Sequence, residues 1–167
     1  MNQLKTDPVI AYIGLGSNLA SPVAQIKSAR TAIAVIAGVQ ELGFSSLYSS
    51  APMGPQDQPD YVNAVMAIAT DLSPIALLRR LQNIENNQGR VRTAEQWGAR
   101  TLDLDVLLYG DQKIDLPDLT VPHKGLAERA FVLYPLFEIA PQLVVPGKGR
   151  IADLVAACPL TGLKRLD

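Results

Sequence analysis

The sequence predicts an α+β protein: a ferredoxin-like β-α-β-β-α-β core, with further strands and helices on its antiparallel sheet giving α-β-α layers. Three observations predict it. Two segments carry apolar residues at helical spacing, and each opens on a Ser-Pro pair and closes at a glycine. Four β-rich runs surround them in the order strand, helix, strand, strand, helix, strand. No internal repeat, low-complexity tract or linker interrupts the chain, which reads as a single domain over residues 1–167.

Residues 9–15 (VIAYIGL) form the first strand, and Gly16, Ser17 and Asn18 follow as a turn. Ser21 is placed as the N-cap of the first helix, with Pro22 at its first helical position. Ile26, Ala29, Ile33 and Ile36 then share one face, and Gly38 stops the helix. Residues 39–48 (VQELGFSSLY) read as one second strand. Residues 49–60 hold three prolines and a glycine and are expected to be a loop. Residues 61–69 (YVNAVMAIA) form the third strand. Ser73 and Pro74 repeat the helix-start signature, and Ile75, Leu78, Leu81 and Ile84 continue at helical spacing until Gly89. Residues 90–100 are polar and unpatterned, and residues 101–109 (TLDLDVLLY) form the fourth strand. Beyond them the sequence suggests a short strand at 114–116, a helix ending near Tyr134 and a weaker helix from Ile151.

Composition narrows the function. Of 167 residues, 48% are hydrophobic and 19% charged, the balance of an ordinary globular protein. Fifteen basic against sixteen acidic residues give a net charge of −1, which argues against non-specific binding to nucleic acid or a membrane. Cys158 is the only cysteine and has no partner for an internal disulfide, so a reducing compartment, the cytoplasm, is expected. No apolar run approaches the ~18 residues of a membrane span.

Strand side chains alternate, so Asp103 and Asp105 share one face while Leu102, Leu104 and Val106 point to the other. Neighbouring carboxylates repel unless a cation or proton compensates. Mg²⁺ suits such a pair, because it takes one or two carboxylates and fills its shell with water and phosphate oxygens. The alternative is an edge strand showing a polar face. Arg90, Arg92 and Arg100 precede this strand, and guanidinium forks match phosphate oxygens. Trp97 lies among them, placed to cover a site against water. Glu85 and Gln82 end the second helical segment, and His123, the only histidine, lies near Lys124 and Arg129. Tyr61 and Asn63 share a strand face; Asn63 offers a donor and an acceptor in one plane, and Tyr61 or Phe131 could stack on a flat ring. There is no P-loop. Gly14 and Gly16 make a G-x-G, but Leu19 breaks the dinucleotide fingerprint. One His and one Cys are too few for zinc, Ser-His-Asp or Cys-His chemistry.

Residues 54–60 (GPQDQPD) with Tyr61 and Asn63, then residues 97–105 (WGARTLDLD), closely resemble the 6-hydroxymethyl-7,8-dihydropterin pyrophosphokinases of folate biosynthesis. The resemblance runs from the Gly16 turn to residues 136–141 (LFEIAP). It implies transfer of the β,γ-pyrophosphoryl group of ATP to the pterin hydroxymethyl oxygen, releasing AMP. It implies two Mg²⁺ ions at Asp103 and Asp105, with Arg90, Arg92 and Arg100 facing the phosphates in catalysis. The pterin would lie between Tyr61 and Phe131, its edge read by Asn63 and by Ser50, Ala51, Pro52, Met53 and Gly54. Gln82, Glu85, Val106, Thr120, His123, Lys124 and Arg129 match positions around ATP, and Trp97 belongs to a loop closing over the substrates. The protein is expected to work as a monomer on these small molecules, with no nucleic acid or membrane partner.

The sequence departs from many members in three places. Ser49-Ser50-Ala51-Pro52 stands where Arg-Thr-x-Pro is frequent, Gln96 where a basic residue is common, and Lys124 where the residue is often aromatic. Two rivals have distinct signatures. An RNA-binding module on this fold would show aromatic and basic residues on its strands, where this chain has aspartates. Another Mg²⁺-dependent nucleotidyl or phosphoryl transferase would share the site but release other products.

Overall fold

A computed structural model describes residues 7–18, 21–50, 60–89, 102–159 and 162–166. Strand β1 (Val9–Ser17) leads to helix α1 (Pro22–Ala34), then β2 (Val39–Phe44), β3 (Leu47–Ser50) and β4 (Tyr61–Thr70). Helix α2 (Pro74–Gly89) and β5 (Asp103–Tyr109) complete the β-α-β-β-α-β core. Its strands are all antiparallel neighbours, in the order β5, β1, β4, then β2 and β3 end to end along the other edge of β4. The hairpin β6 (Ile114–Leu116) and β7 (Leu119–Val121), helix α3 (Ala130–Ile139), the small β8 (Val144–Val145) and β9 (Gly149–Arg150) hairpin, helix α4 (Ile151–Ala156) and β10 (Leu163–Leu166) follow. The last strand pairs with β3 and extends the sheet.

The period of two in β1 and β4 decides which residues meet which layer. Ala11, Ile13 and Leu15 of β1 and Ala64, Met66 and Ile68 of β4 face α1 and α2, packing with Ile26, Ala29, Ile33, Leu77 and Leu81. The opposite face carries Tyr12 and Val65, covered by Leu133 and Leu136 of α3 and Ile151 of α4. The helices therefore lie on both faces, as the layered expectation requires. Between Tyr12 and Ile13 the β1–β5 register slips, so Leu107 and Leu108 both join the α3 side.

Several local expectations need correction. The strand β1 runs through Gly16 and Ser17 rather than turning there, because both residues pair with β4. Ser21 occupies the N-cap of α1 but has φ 59° and makes no side-chain cap; its carbonyl instead accepts the Gln25 N–H at 3.0 Å. Ser73 does cap α2, its Oγ accepting the Ala76 N–H at 3.2 Å. Residues 39–48 are two strands, not one. Ser45 lies between them, where its Oγ accepts the Val65 N–H at 2.9 Å and donates to the Ser46 carbonyl at 2.7 Å. A side chain thus replaces a ladder partner, and the strand bends. Helix α3 continues past Tyr134 to Ile139 although Pro135 removes one N–H. Burial of Val132, Leu133 and Leu136 against the sheet outweighs that loss. Leu77, fully buried, joins the α2 core face, and β7 and β10 have no counterpart in the sequence reading.

Candidate active site

The α3–α4 layer covers only part of its sheet face, and the uncovered part is a cavity of about 180 Å³. That exceeds the ~150 Å³ of an engineered cavity that admits benzene, so a flat ring has room. Its floor is made by β1, β4 and β5. Gly14 and Gly16 point the cavity's way and keep it open: a Cβ on Gly14 would stand 3.3 Å from Leu107 Cδ2, and one on Gly16 3.2 Å from Asn63 Oδ1. These are the glycines that failed as a dinucleotide fingerprint. Their use is space, and only the strand pairing of β1 between β4 and β5 reveals it.

Part of the cavity lining is aromatic and amide in character. Tyr61 and Asn63 project from alternate positions of β4, and Phe131 from the first turn of α3 faces them. Asn63 is 5% exposed, and its Nδ2 donates to Ser50 Oγ at 2.9 Å, which fixes the amide plane. Val65, Leu107 and Val132 add apolar walls that the sequence reading did not assign to the site.

Another part is charged. Asp103 and Asp105 both line the cavity while Leu104 between them is buried in the α1–α2 core. The Asp105 side chain is 51% exposed, and the His123 Nε2 lies 3.9 Å from its Oδ2. His123 Nδ1 accepts the Gly125 N–H at 3.1 Å, so a neutral ring carries its proton on Nε2, the nitrogen facing Asp105. Arg129 lies over the Phe131 ring, its Cζ 5.8 Å from the centroid, and contributes to the same cavity. Gly125 makes that placement possible, since a Cβ there would come within 2.4 Å of Arg129 Nε.

Ser50, Tyr61, Asn63, Asp103, Asp105, His123, Arg129 and Phe131 are therefore brought together as expected. Others are not. Thr120 and Lys124 line a neighbouring shallow groove instead. Gln82 accepts a hydrogen bond from Arg79 at 2.9 Å, and Glu85 Oε2 accepts the Leu104 N–H at 2.7 Å, bracing the aspartate strand from behind. Val106 is 3% exposed in the α1–α2 core, so its side chain does not line the cavity, and only its main chain could meet a nucleotide. Ala51, Pro52, Met53, Gly54, Arg90, Arg92, Gln96, Trp97 and Arg100 lie outside the described residues.

The donor set can be tested against a divalent ion. Among the described residues no three His, Cys, Asp or Glu converge as a cage. Two carboxylates on one open strand face suit Mg²⁺, whose remaining positions go to water and phosphate, better than an ion that needs an all-protein shell.

The α+β sheet thus gathers two carboxylates, His123 and Arg129 into the same cavity as Tyr61, Asn63 and Phe131. Sequence comparison gives the family. The chain matches the 7,8-dihydro-6-hydroxymethylpterin-pyrophosphokinase (HPPK) family over residues 12–141 and belongs to it. It is 54% identical over 147 residues to a 2-amino-4-hydroxy-6-hydroxymethyldihydropteridine pyrophosphokinase of Haemophilus influenzae, covering 88% of this chain and 91% of that protein. A protein of the same description from Pseudomonas aeruginosa is 51% identical over 155 residues, covering 93% of this chain and 95% of its own. The crystal structure of an HPPK-DHPS in complex with substrates superposes with a TM-score of 0.74 at 12% identity, over 91% of this chain. This chain spans 43% of that longer one, and the likeness supports the fold. The chain is thus a pyrophosphokinase, transferring the pyrophosphoryl group of ATP to hydroxymethyldihydropterin in folate biosynthesis.

Proposed function

We propose that this transfer depends on Mg²⁺ held by Asp103 and Asp105, two ions in all, with the pterin ring between Tyr61 and Phe131. The observation that carries the reading is that Tyr61, Asn63 and Phe131 line the same cavity as Asp103 and Asp105, so an acceptor ring held at Asn63 shares one space with the aspartates. When bound, divalent ions neutralise phosphate charge and acidify the attacking hydroxyl.

The chain's own residues do the rest. Tyr61 and Phe131 exclude water from the ring faces, and Asn63, its amide plane set by Ser50, reads the ring edge. Asp103 and Asp105 gather positive charge where the phosphates pass. Arg129 and the Nε2–H of His123 meet phosphate oxygens beside the aspartates, and positioning of this kind can account for most of the barrier reduction in phosphoryl transfer. Arg90, Arg92 and Arg100 add charge, and Trp97 shields the site, once both substrates are bound. Gln82, Glu85, Thr120 and Lys124 border the nucleotide. The protein acts as a monomer in the cytoplasm, with one folding unit over residues 1–167.

Product analysis tests the whole reading. AMP should form only with ATP, hydroxymethyldihydropterin and Mg²⁺ together. Release of ADP, or full turnover in the presence of a chelator, would overturn it.

A further inference from the structure

Away from the cavity, at the far end of α3, the Glu138 carboxylate gathers an unusual number of donors. Ser46 N–H lies 3.1 Å from both of its oxygens, Ser46 Oγ donates to Oε2 at 2.9 Å, and Tyr48 Oη donates to Oε1 at 2.8 Å. Arg165 of β10 adds a charge, its Nη2 3.7 Å from Oε2. All these groups sit on the bent β2–β3 edge or on the strand beyond it.

Two geometric facts connect this anchor to the ring slot. Along α3, Glu138 is seven residues from Phe131, which is about 10.5 Å and nearly two whole turns, so the two share a face toward the sheet. In β3, Tyr48 and Ser50 alternate onto one face, with Ser46 just before the strand, and Ser50 is the acceptor that holds the Asn63 amide. Glu138 therefore ties the element bearing one wall of the slot to the strand that supports the other. Among the described residues α3 also packs on the sheet through apolar contact, with Val132, Leu133 and Leu136 clustered with Val65, Leu107 and Leu108. Apolar burial is non-directional and permits small slides, whereas hydrogen bonds fix a register.

We propose that Glu138 is a positioning residue for the acceptor site: by pinning the Ser46–Tyr48 segment to α3 it sets the distance between Phe131 and the Tyr61–Asn63 wall. It touches neither substrate. The inference rests on the slot between Tyr61 and Phe131 being the pterin site, as proposed above. Its consequence falls first on the acceptor: loosening α3 against β3 shifts the slot wall at Phe131, while the phosphate side loses at most the Arg129 contact at the α3 N-cap and keeps the aspartate segment, which Glu85 holds at the Leu104 N–H.

The test uses the full chain carrying Glu138→Ala, Glu138→Gln or Phe131→Ala, with pterin affinity measured by calorimetry and KM for each substrate measured in the AMP-forming assay. Glu138→Ala should weaken pterin binding by ~10-fold and change the ATP KM by less than ~3-fold, the scale expected for sub-ångström misplacement. Glu138→Gln, which keeps an acceptor for Tyr48 and Ser46, should recover most of that loss. Equal losses for both substrates, a lower Tm with unchanged pterin affinity, or no recovery in Glu138→Gln would each overturn the proposal. If Glu138→Ala does not fold, Tyr48→Phe removes one donor, and unchanged pterin affinity there also overturns it. Phe131→Ala separates the two readings: if it leaves pterin affinity intact, the slot itself is wrongly assigned; if it weakens binding while Glu138→Ala does not, only the role of Glu138 falls.

Discussion

Glu85 Oε2 accepts the main-chain N–H of Leu104 at 2.7 Å, and Leu104 is the residue between Asp103 and Asp105. The last turns of α2 thereby hold the strand segment that presents both carboxylates. Leu104 is itself buried beneath that strand, so the segment is fixed by apolar packing on one side and by a charged acceptor at its main chain. Hydrogen bonds to a charged acceptor are the stronger kind, and this one acts where a small shift would displace both carboxylates from the ion proposed to bind there.

Replacing Glu85 by alanine should therefore raise the Mg²⁺ concentration needed for half-maximal activity by ~10-fold or more, in line with the loss of an outer-shell support. A magnesium titration of the variant checks this, and an unchanged midpoint would assign Glu85 another task.

Asp103→Ala and Asp105→Ala should each lower kcat by at least ~10²-fold, the scale seen when a single electrostatic stabiliser is removed. Circular dichroism should show the fold intact, because Asp105 is largely exposed and neither side chain belongs to a core cluster. Near-normal turnover of both variants at limiting Mg²⁺ would refute the metal assignment.

Gly125→Ala is expected to act on Arg129 rather than on the backbone. The residue has φ −92°, which alanine adopts freely, yet its Cβ would stand 2.4 Å from Arg129 Nε. The guanidinium must move away from its place over Phe131. Steady-state kinetics should show ATP KM raised by ~10-fold with little change in Tm, the signature of a displaced phosphate-side group.

Burial pushes the Glu138 carboxyl upward, but hydrogen bonds from Tyr48 and Ser46, with the Arg165 charge, outweigh it and hold the group below the usual carboxylate range. A carboxyl lowered in the folded state stabilises the protein above its unfolded value, near 4.5, and that contribution disappears as pH falls through the lower folded value. Urea denaturation of the parent and of Glu138→Gln should thus differ at neutral pH and converge in acid. A gap that stays constant with pH would mean that ionisation of Glu138 adds nothing.

The two Ser-Pro helix starts should respond differently to mutation. Ser73→Ala removes a side-chain cap and should cost ~1 kcal/mol. Ser21 has no such bond and holds φ 59°, so Ser21→Gly should be neutral or stabilising in thermal denaturation.

Much of this molecule is written locally in its sequence. Alternation in residues 101–109 put Asp103 and Asp105 on one face, and helical spacing in α1 and α2 named Ile26, Ala29, Ile33, Leu78 and Leu81 as core. Such patterns follow from the rise and twist of a single element, so consecutive residues suffice to show them. Residue chemistry also singled out Tyr61, Asn63, His123, Arg129 and Phe131, the family resemblance gave them roles, and the structure gathers them around one cavity.

What tertiary structure alone decided depends on partners far away in the chain. The apparently continuous strand over 39–48 is bent because Ser45 substitutes for a main-chain partner at Val65, and Glu138 holds that bend from 92 residues downstream of Ser46. Gly14 and Gly16 gain their meaning only between β4 and β5, where Leu107 and Asn63 occupy the space a side chain would take. Glu85, matched to the nucleotide by sequence, turns its carboxylate to the main chain of the aspartate strand. The sequence by itself determined the aspartate pair and the faces of each element. Their union into one site came from strand pairing and long-range hydrogen bonds, which no local period encodes.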